Sequence, residues 1–252
     1  MIVYIATWPR CGNAFVRNLI YLNYRVITAD GYPSKAPWPE RLNAEYFSDF
    51  IKYQDEGQPP RLALQHGALD ILNDKPDLRR ELAAMSETFL VKTHEMPPED
   101  PVEGEAFVCM VRHPVRAVAS RRKLLVTKDV MKTARGDYIG GHWSDFHRLW
   151  HDSPMPRVSV RYEDVVGKPE VVVRPCAELL GLPELEVVRD LPIAASKALN
   201  PERNPGLGND GWKTVITDEQ AAAIWEETGE AASAWGYEPV HEGAQSEQNT
   251  TA

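Results

Sequence analysis

Apolar runs at residues 2–7, 88–92, 106–111 and 157–161 alternate along the chain with helix-like segments near 14–23, 76–86, 114–126, 169–181 and 217–235. Short apolar runs bounded by turn residues read as buried strands. A strand-helix rhythm of this kind predicts an α/β domain, with a parallel sheet built through right-handed crossovers and covered by helices on both faces. Segment 30–60 is rich in aromatics and prolines but has no clear period, so it is expected to form an irregular lobe or lid. Residues 239–252 are Glu-, Gln- and Thr-rich without aromatics and are expected to be a disordered tail after a domain spanning 1–238.

Composition agrees with one compact domain. A chain of 252 residues can bury a large core. The 20 prolines cluster in connections such as Pro33 to Pro39, Pro59-Pro60 and Pro97 to Pro101. The chain has no apolar run of about 18 residues, so no transmembrane helix is expected. It begins directly with a strand and without a basic-then-apolar leader, which leads to the expectation of a cytoplasmic protein. The three cysteines Cys11, Cys109 and Cys176 make no disulfide framework and fit a reducing compartment. The formal net charge of −9 argues against nucleic acid or anionic membrane partners, although local basic sites can still bind anions. A homodimer is left open.

The candidate chemistry lies at the carboxyl ends of the strands, where open parallel sheets bind ligands. Trp8-Pro9-Arg10-Cys11-Gly12-Asn13-Ala14-Phe15 joins the first strand to the first helix. A buried strand feeding a basic, Gly-containing turn and then a helix N-terminus builds an anion pocket from backbone N–H groups, the helix dipole and one cation. The segment does not match Gly-x-x-x-x-Gly-Lys-Ser/Thr, because Gly12 is its one glycine and Arg10 precedes it. Three later strands also deliver polar residues at their ends: Lys92-Thr93-His94, then Arg112-His113-Pro114 leading to Ser120, then Arg161-Tyr162-Glu163-Asp164.

This ordered set resembles the sulfotransferases that use 3′-phosphoadenosine-5′-phosphosulfate (PAPS). Their phosphosulfate loop, Tyr-Pro-Lys-Ser-Gly-Thr-Thr-Trp, lies on Trp8 to Phe15 without a gap, and their Lys-Thr-His is present at Lys92-Thr93-His94. Their 3′-phosphate motif is similar to Arg112, Pro114 and Ser120, and their Tyr-Glu-Asp, Pro and Leu-Gly pattern to Tyr162-Glu163-Asp164, Pro169 and Leu180-Gly181. Gly208-Asn209-Asp210-Gly211-Trp212-Lys213 looks like a degraded Gly-x-x-Gly-Asp-Trp-Lys, so the resemblance runs from residue 1 to about 237. Arg10 stands where the family has Lys, Cys11 for Ser, Asn13 and Ala14 for two Thr, Phe15 for Trp, and Arg116 for an acidic residue. Gly206-Leu207 occupy the place of an Arg-Lys pair, for which Arg203 is a nearby substitute.

The resemblance implies a P-loop-like fold and transfer of a sulfuryl group from PAPS to a small-molecule hydroxyl or amine, leaving 3′,5′-ADP. It implies His94 as general base, Arg10 at the bridging oxygen and 5′-phosphate, and Lys92 at the sulfonate or bridging oxygen. Cofactor contacts are implied for Arg10, Cys11, Gly12, Asn13, Ala14, Phe15, Arg112, Ser120, Tyr162, Gly208 and Trp212. Arg112 and Ser120 would grip the 3′-phosphate, Tyr162 would lie beside the adenine or its ribose, and Phe15 and Trp212 would sandwich the base. Variable lobes near 30–75 and 125–155 would hold the acceptor, and the compact length resembles bacterial enzymes that tailor natural products.

Other features take plainer readings. Glu163 and Asp164 are expected to cap backbone or pair with arginines. Cys11, beside Arg10 at a helix N-terminus, is either a reactive thiol or a small residue replacing Ser with its N–H on phosphate. His142, His147 and His151 look like a helical cluster, but their spacing puts only His147 and His151 on one face, and no metal is expected. Two rival functions remain. A P-loop-type small-molecule kinase should carry Gly-Lys-Ser/Thr and a magnesium-binding Asp, which are not at the expected places. A non-catalytic nucleotide-binding module would fit the eroded motifs, but the presence of His94 argues against it.

Overall fold

Alternation along the first strand decides the layering. Ile2, Tyr4 and Ala6 enter one buried cluster while Val3 and Ile5 enter another, because successive side chains of a strand point to opposite faces of its sheet. The computed structural model describes residues 1–26, 28–30, 76–86, 88–122, 129–136, 140–191 and 211–240. Within these residues, β1 (Ile2–Ala6), β2 (Thr28–Asp30), β3 (Phe89–Thr93), β4 (Glu105–Val111) and β5 (Arg157–Arg161) form one sheet in the order β2-β3-β1-β4-β5. Every pairing is parallel. The expected α/β class, with helices on both faces, is what the structure has.

On the Val3–Ile5 face, α1 (Asn13–Tyr24) contributes Val16, Leu19 and Ile20 to the core, and the helix after β5, spanning Glu170–Leu179, contributes Val172, Val173 and Cys176. The Ile2–Tyr4 face is covered by α2 (Pro76–Ala84), α3 (Pro114–Arg122), α4 (Val130–Arg135) and α5 (Trp143–Asp152). One turn, α6 (Tyr162–Val165), leads from β5 towards the Glu170–Leu179 helix, α7, and α8 (Asp218–Ala234) closes the first layer. Thr217 opens α8 with a reciprocal cap, its side chain accepting from Gln220 N while the Gln220 side chain accepts from Thr217 N.

The pattern of apolar runs predicts four strands and misses β2, whose three residues are too few to show alternation. It also leaves α4 and α5 inside a variable lobe, although both are helices that supply Val130, Ala134, Trp143, Phe146 and Trp150 to the core. The end of the helix predicted at 114–126, the lobe at 31–75 and the tail from 241 lie outside the described residues.

Opposite the ligand end of the sheet, a buried carboxylate fixes α2. Glu105 accepts from Tyr4 OH at 2.5 Å, Arg79 Nε at 2.7 Å and Val102 N at 2.8 Å. Burial and the Glu105 charge both raise the Tyr4 hydroxyl far above its usual pKa, so it remains a donor. The sheet order places β1 between β3 and β4, and open parallel sheets bind ligands at the carboxyl ends of such central strands.

Candidate functional site

The loop after β1 is shaped by two left-handed residues, Arg10 at φ 74° and Gly12 at φ 100°. An Arg in that conformation costs about 1–2 kcal/mol, so the surroundings must hold it there. At Gly12 no other residue fits: a Cβ would lie 2.5 Å from Met110 Sδ and 2.8 Å from Tyr162 Cδ2. Gly12 caps α1 without a side chain, and no acidic residue stands in the first turn. The positive end of α1 therefore keeps its capacity for an external anion.

Two expectations for this loop change. Cys11 is fully buried, and burial outweighs the nearby Arg112 charge and pushes its thiol up to about 12. Burial and a raised pKa both disfavour a reactive thiolate. Its N–H donates to Trp8 O at 3.0 Å inside the turn, so the amide that was expected to bind phosphate already has an acceptor. Asn13 turns its side chain into the fold, with Nδ2 donating to Ile5 O at 3.0 Å. Ala14 is exposed on the first turn.

Around the loop the basic residues converge. Arg10 Nε donates to Ser120 Oγ at 3.1 Å, and Arg112 donates to Arg10 O at 3.3 Å. The Arg112 guanidinium lies 4.6 Å over the Tyr162 ring, whose edge meets Phe15 at 5.7 Å. Arg112 Nε is buried without a hydrogen-bond partner among the described residues. The structure thus brings Arg10, Gly12, Phe15, Arg112, Ser120 and Tyr162 to one corner.

Trp212 does not join them. It is buried on the 3₁₀ turn Gly211–Thr214 in the Ile2–Tyr4 cluster, whereas Phe15 packs with the opposite cluster. Phe15 has the Tyr162 ring as its aromatic neighbour, and Trp212 lies in the other cluster. Gly208 and Arg203 lie outside the described residues.

His94 follows β3, and its Nδ1 lies 2.6 Å from Thr7 O. A carbonyl oxygen can only accept, so Nδ1 carries a proton, and in the neutral ring the lone pair is on Nε2. Lys92 is buried on β3 beside Ile5, on the α1 face. Two indoles tie down the surroundings, a role the sequence pattern did not reveal: Trp8 Nε1 donates to Gly141 O at 3.0 Å, and Trp150 Nε1 donates to Glu95 O at 3.0 Å. A Cβ on Gly140 would lie 2.7 Å from Pro9 Cδ and 3.2 Å from His94 O, so the segment before α5 rests directly on the loop and on His94.

The carboxylates behave as expected. Glu163 bonds Arg116 at 3.5 Å, and Asp164 bonds Arg161 at 2.7 Å. The three histidines do three different things. His142 caps α5 by accepting from Ser144 N, His151 packs on Trp235, and His147 is fully buried among Trp143, Phe146 and Trp235. Among the described residues, no group of three or more His, Cys, Asp or Glu side chains could hold a metal ion. No helix among them is long and apolar enough to cross a membrane.

Residues 105–186 match the sulfotransferase family, a stretch that contains Arg112, Ser120 and Tyr162. Mouse sulfotransferase SULT7A1 complexed with PAP is 13% identical, with 91% of this chain and 82% of that one covered and a TM-score of 0.51. Retinol dehydratase in complex with retinol and PAP is 19% identical, with 91% and 80% covered and a TM-score of 0.53. At these identities the likeness is one of fold. No curated protein matches the chain in sequence.

Proposed function

We propose, from a chain that carries the sulfotransferase fold, that it transfers the sulfuryl group of PAPS to a hydroxyl or amine of a small-molecule acceptor by in-line displacement. The observation that carries this reading is the position of His94. Its ring is anchored through Nδ1 on Thr7 O, the first residue after β1, which supports reading His94 as a base beside the anion loop.

The residues present fit a nucleotide with phosphates at both ends of its ribose. The uncapped start of α1 suits one phosphate. Arg112, with a buried Nε that has no partner among the described residues, suits a second. When bound, PAPS supplies a sulfuryl group on a phosphate leaving group. In this reading Arg10 opposes the charge that develops on the bridging oxygen, and its guanidinium remains protonated throughout. Lys92 adds a second positive charge from β3. Arg112 and Ser120 bind the 3′-phosphate, and Tyr162 and Phe15 lie beside the base. His94 Nε2 removes the proton of the attacking acceptor.

Binding is the first test. At equal concentration, 3′,5′-ADP should raise the melting temperature well above any effect of ATP with magnesium, because a ligand that binds only the folded state stabilises it. Stabilisation by ATP with magnesium alone would favour a kinase. A screen of phenols, alcohols and amines with PAPS, reading an added sulfo group by mass, then tests the transfer itself and identifies the acceptor class.

A further inference from the structure

Arg112 and Tyr162, which stack on each other, are flanked in sequence by Val111, His113, Arg161 and Glu163. All four flanking residues are bonded by the segment that follows α8. Arg161 donates to Gly236 O at 3.1 Å, and His113 Nε2 lies 2.9 Å from Glu238 O, which can only accept. Tyr237 OH lies 2.7 Å from Glu163 Oε2 and 3.1 Å from Val111 O, sharing its single proton between a carboxylate and a carbonyl. Glu163 in turn accepts through Oε1 from His113 N at 3.3 Å and from Arg116 at 3.5 Å.

The approach of this segment is built into the end of α8. Gly236 is left-handed at φ 72°, with its N–H on Ser233 O at 2.9 Å and the Tyr237 N–H on Ala232 O at 3.1 Å. That pair of bonds is a Schellman motif, which turns the chain back on its own helix and sends Tyr237 towards the sheet. Gly236 and Glu238 act through main-chain oxygens that any residue could supply. Of the three, Tyr237 alone acts through its side chain, and its ring is buried in the core while its hydroxyl reaches the ends of β4 and β5.

We propose that Tyr237 is a positioning residue for nucleotide recognition: by bonding Glu163 it sets the spacing between the ends of β4 and β5, and so the stack of Arg112 on Tyr162. This rests on the reading of that corner as the 3′-phosphate and base site. Tyr237→Phe keeps the buried ring and removes only the hydroxyl. It should weaken 3′,5′-ADP about tenfold, the scale of a hydrogen bond to a charged group, while changing 5′-AMP binding much less. Glu163→Gln should give the same selective loss, and the double variant no further loss, because the two side chains act as one unit. A merely structural Tyr237 would lower the melting temperature and leave the ratio of the two affinities unchanged, and that result overturns the proposal. If Tyr237→Phe does not fold, the Glu163→Gln ratio decides in the same way. Wild-type protein that binds neither nucleotide overturns the sulfotransferase reading, and this proposal with it.

Discussion

The Nδ1 atom of His94 lies 2.6 Å from the carbonyl oxygen of Thr7, joining the end of β3 to the first residue after β1. The bond fixes the imidazole tautomer and ring plane together. Because the partner is a main-chain oxygen, no substitution at position 7 removes it, and His94 itself is the point of attack. His94→Ala should lower sulfo transfer by about 10²- to 10⁴-fold, the usual contribution of a positioned base. Its 3′,5′-ADP affinity should remain close to wild type in calorimetric titration. Normal turnover in this variant would remove His94 from the mechanism.

Arg112 should show the opposite pattern. Its guanidinium stacks on Tyr162 and donates to Arg10 O, and in the proposed reading it binds the nucleotide and not the acceptor. Arg112→Ala should cost roughly 1.5–3 kcal/mol in 3′,5′-ADP binding, as the loss of a charge-assisted bond does. 5′-AMP, which lacks the 3′-phosphate, should lose far less. Equal losses for both nucleotides would place Arg112 elsewhere.

The sheet was legible because β1, β3, β4 and β5 are apolar runs that end in chemistry, and a parallel sheet gathers those ends on one edge. Single motifs could not tell which face of the sheet a ring joins. Phe15 and Trp212 both sit in motif positions, yet α1 carries the first and the turn at Gly211–Thr214 the second to different cores. Depth of burial was equally hidden. Cys11 stands next to Arg10 at a helix N-terminus, which reads as a lowered thiol pKa, but in the fold burial raises it and outweighs the lowering charge of Arg112. Thr7 contributes chiefly a carbonyl, at 2.6 Å from His94 Nδ1 against 3.5 Å for its hydroxyl, and a carbonyl leaves no residue-type signal. Tyr237 left a weak one, an aromatic directly after the glycine that ends α8.

Arg10 tests what the loop requires of its cation. The Nε–H bond to Ser120 at 3.1 Å uses one edge of the guanidinium and sets the plane of the rest. Lysine keeps the charge but has no planar fork. Arg10→Lys should therefore reduce turnover at saturating PAPS by about tenfold, and Arg10→Ala by about 10³-fold, the range seen when a catalytic cation is removed. Lysine indistinguishable from arginine would mean that charge alone matters. Normal turnover in Arg10→Ala would dismantle the assignment of the loop.

His147 sets a limit on acid stability. Its ring is fully buried, neither nitrogen has a hydrogen-bond partner among the described residues, and burial pulls its pKa down to about 3 from an ordinary 6.5. The unfolded chain takes up a proton as pH falls through 6.5 while the folded chain does not, so stability declines with falling pH from that point towards 3. The slope from this one group approaches about 1.4 kcal/mol per pH unit across the window. His147→Leu removes the titration and the two unpaired nitrogens and keeps an apolar side chain among Trp143, Phe146 and Trp235. Urea unfolding at pH 8 should show the variant at least as stable as wild type, because an unsatisfied buried polar group costs about 1–3 kcal/mol. The same measurement at pH 5 should show a wider margin in its favour. An identical loss between pH 8 and pH 5 in both proteins would mean that His147 is not the group that carries the acid sensitivity.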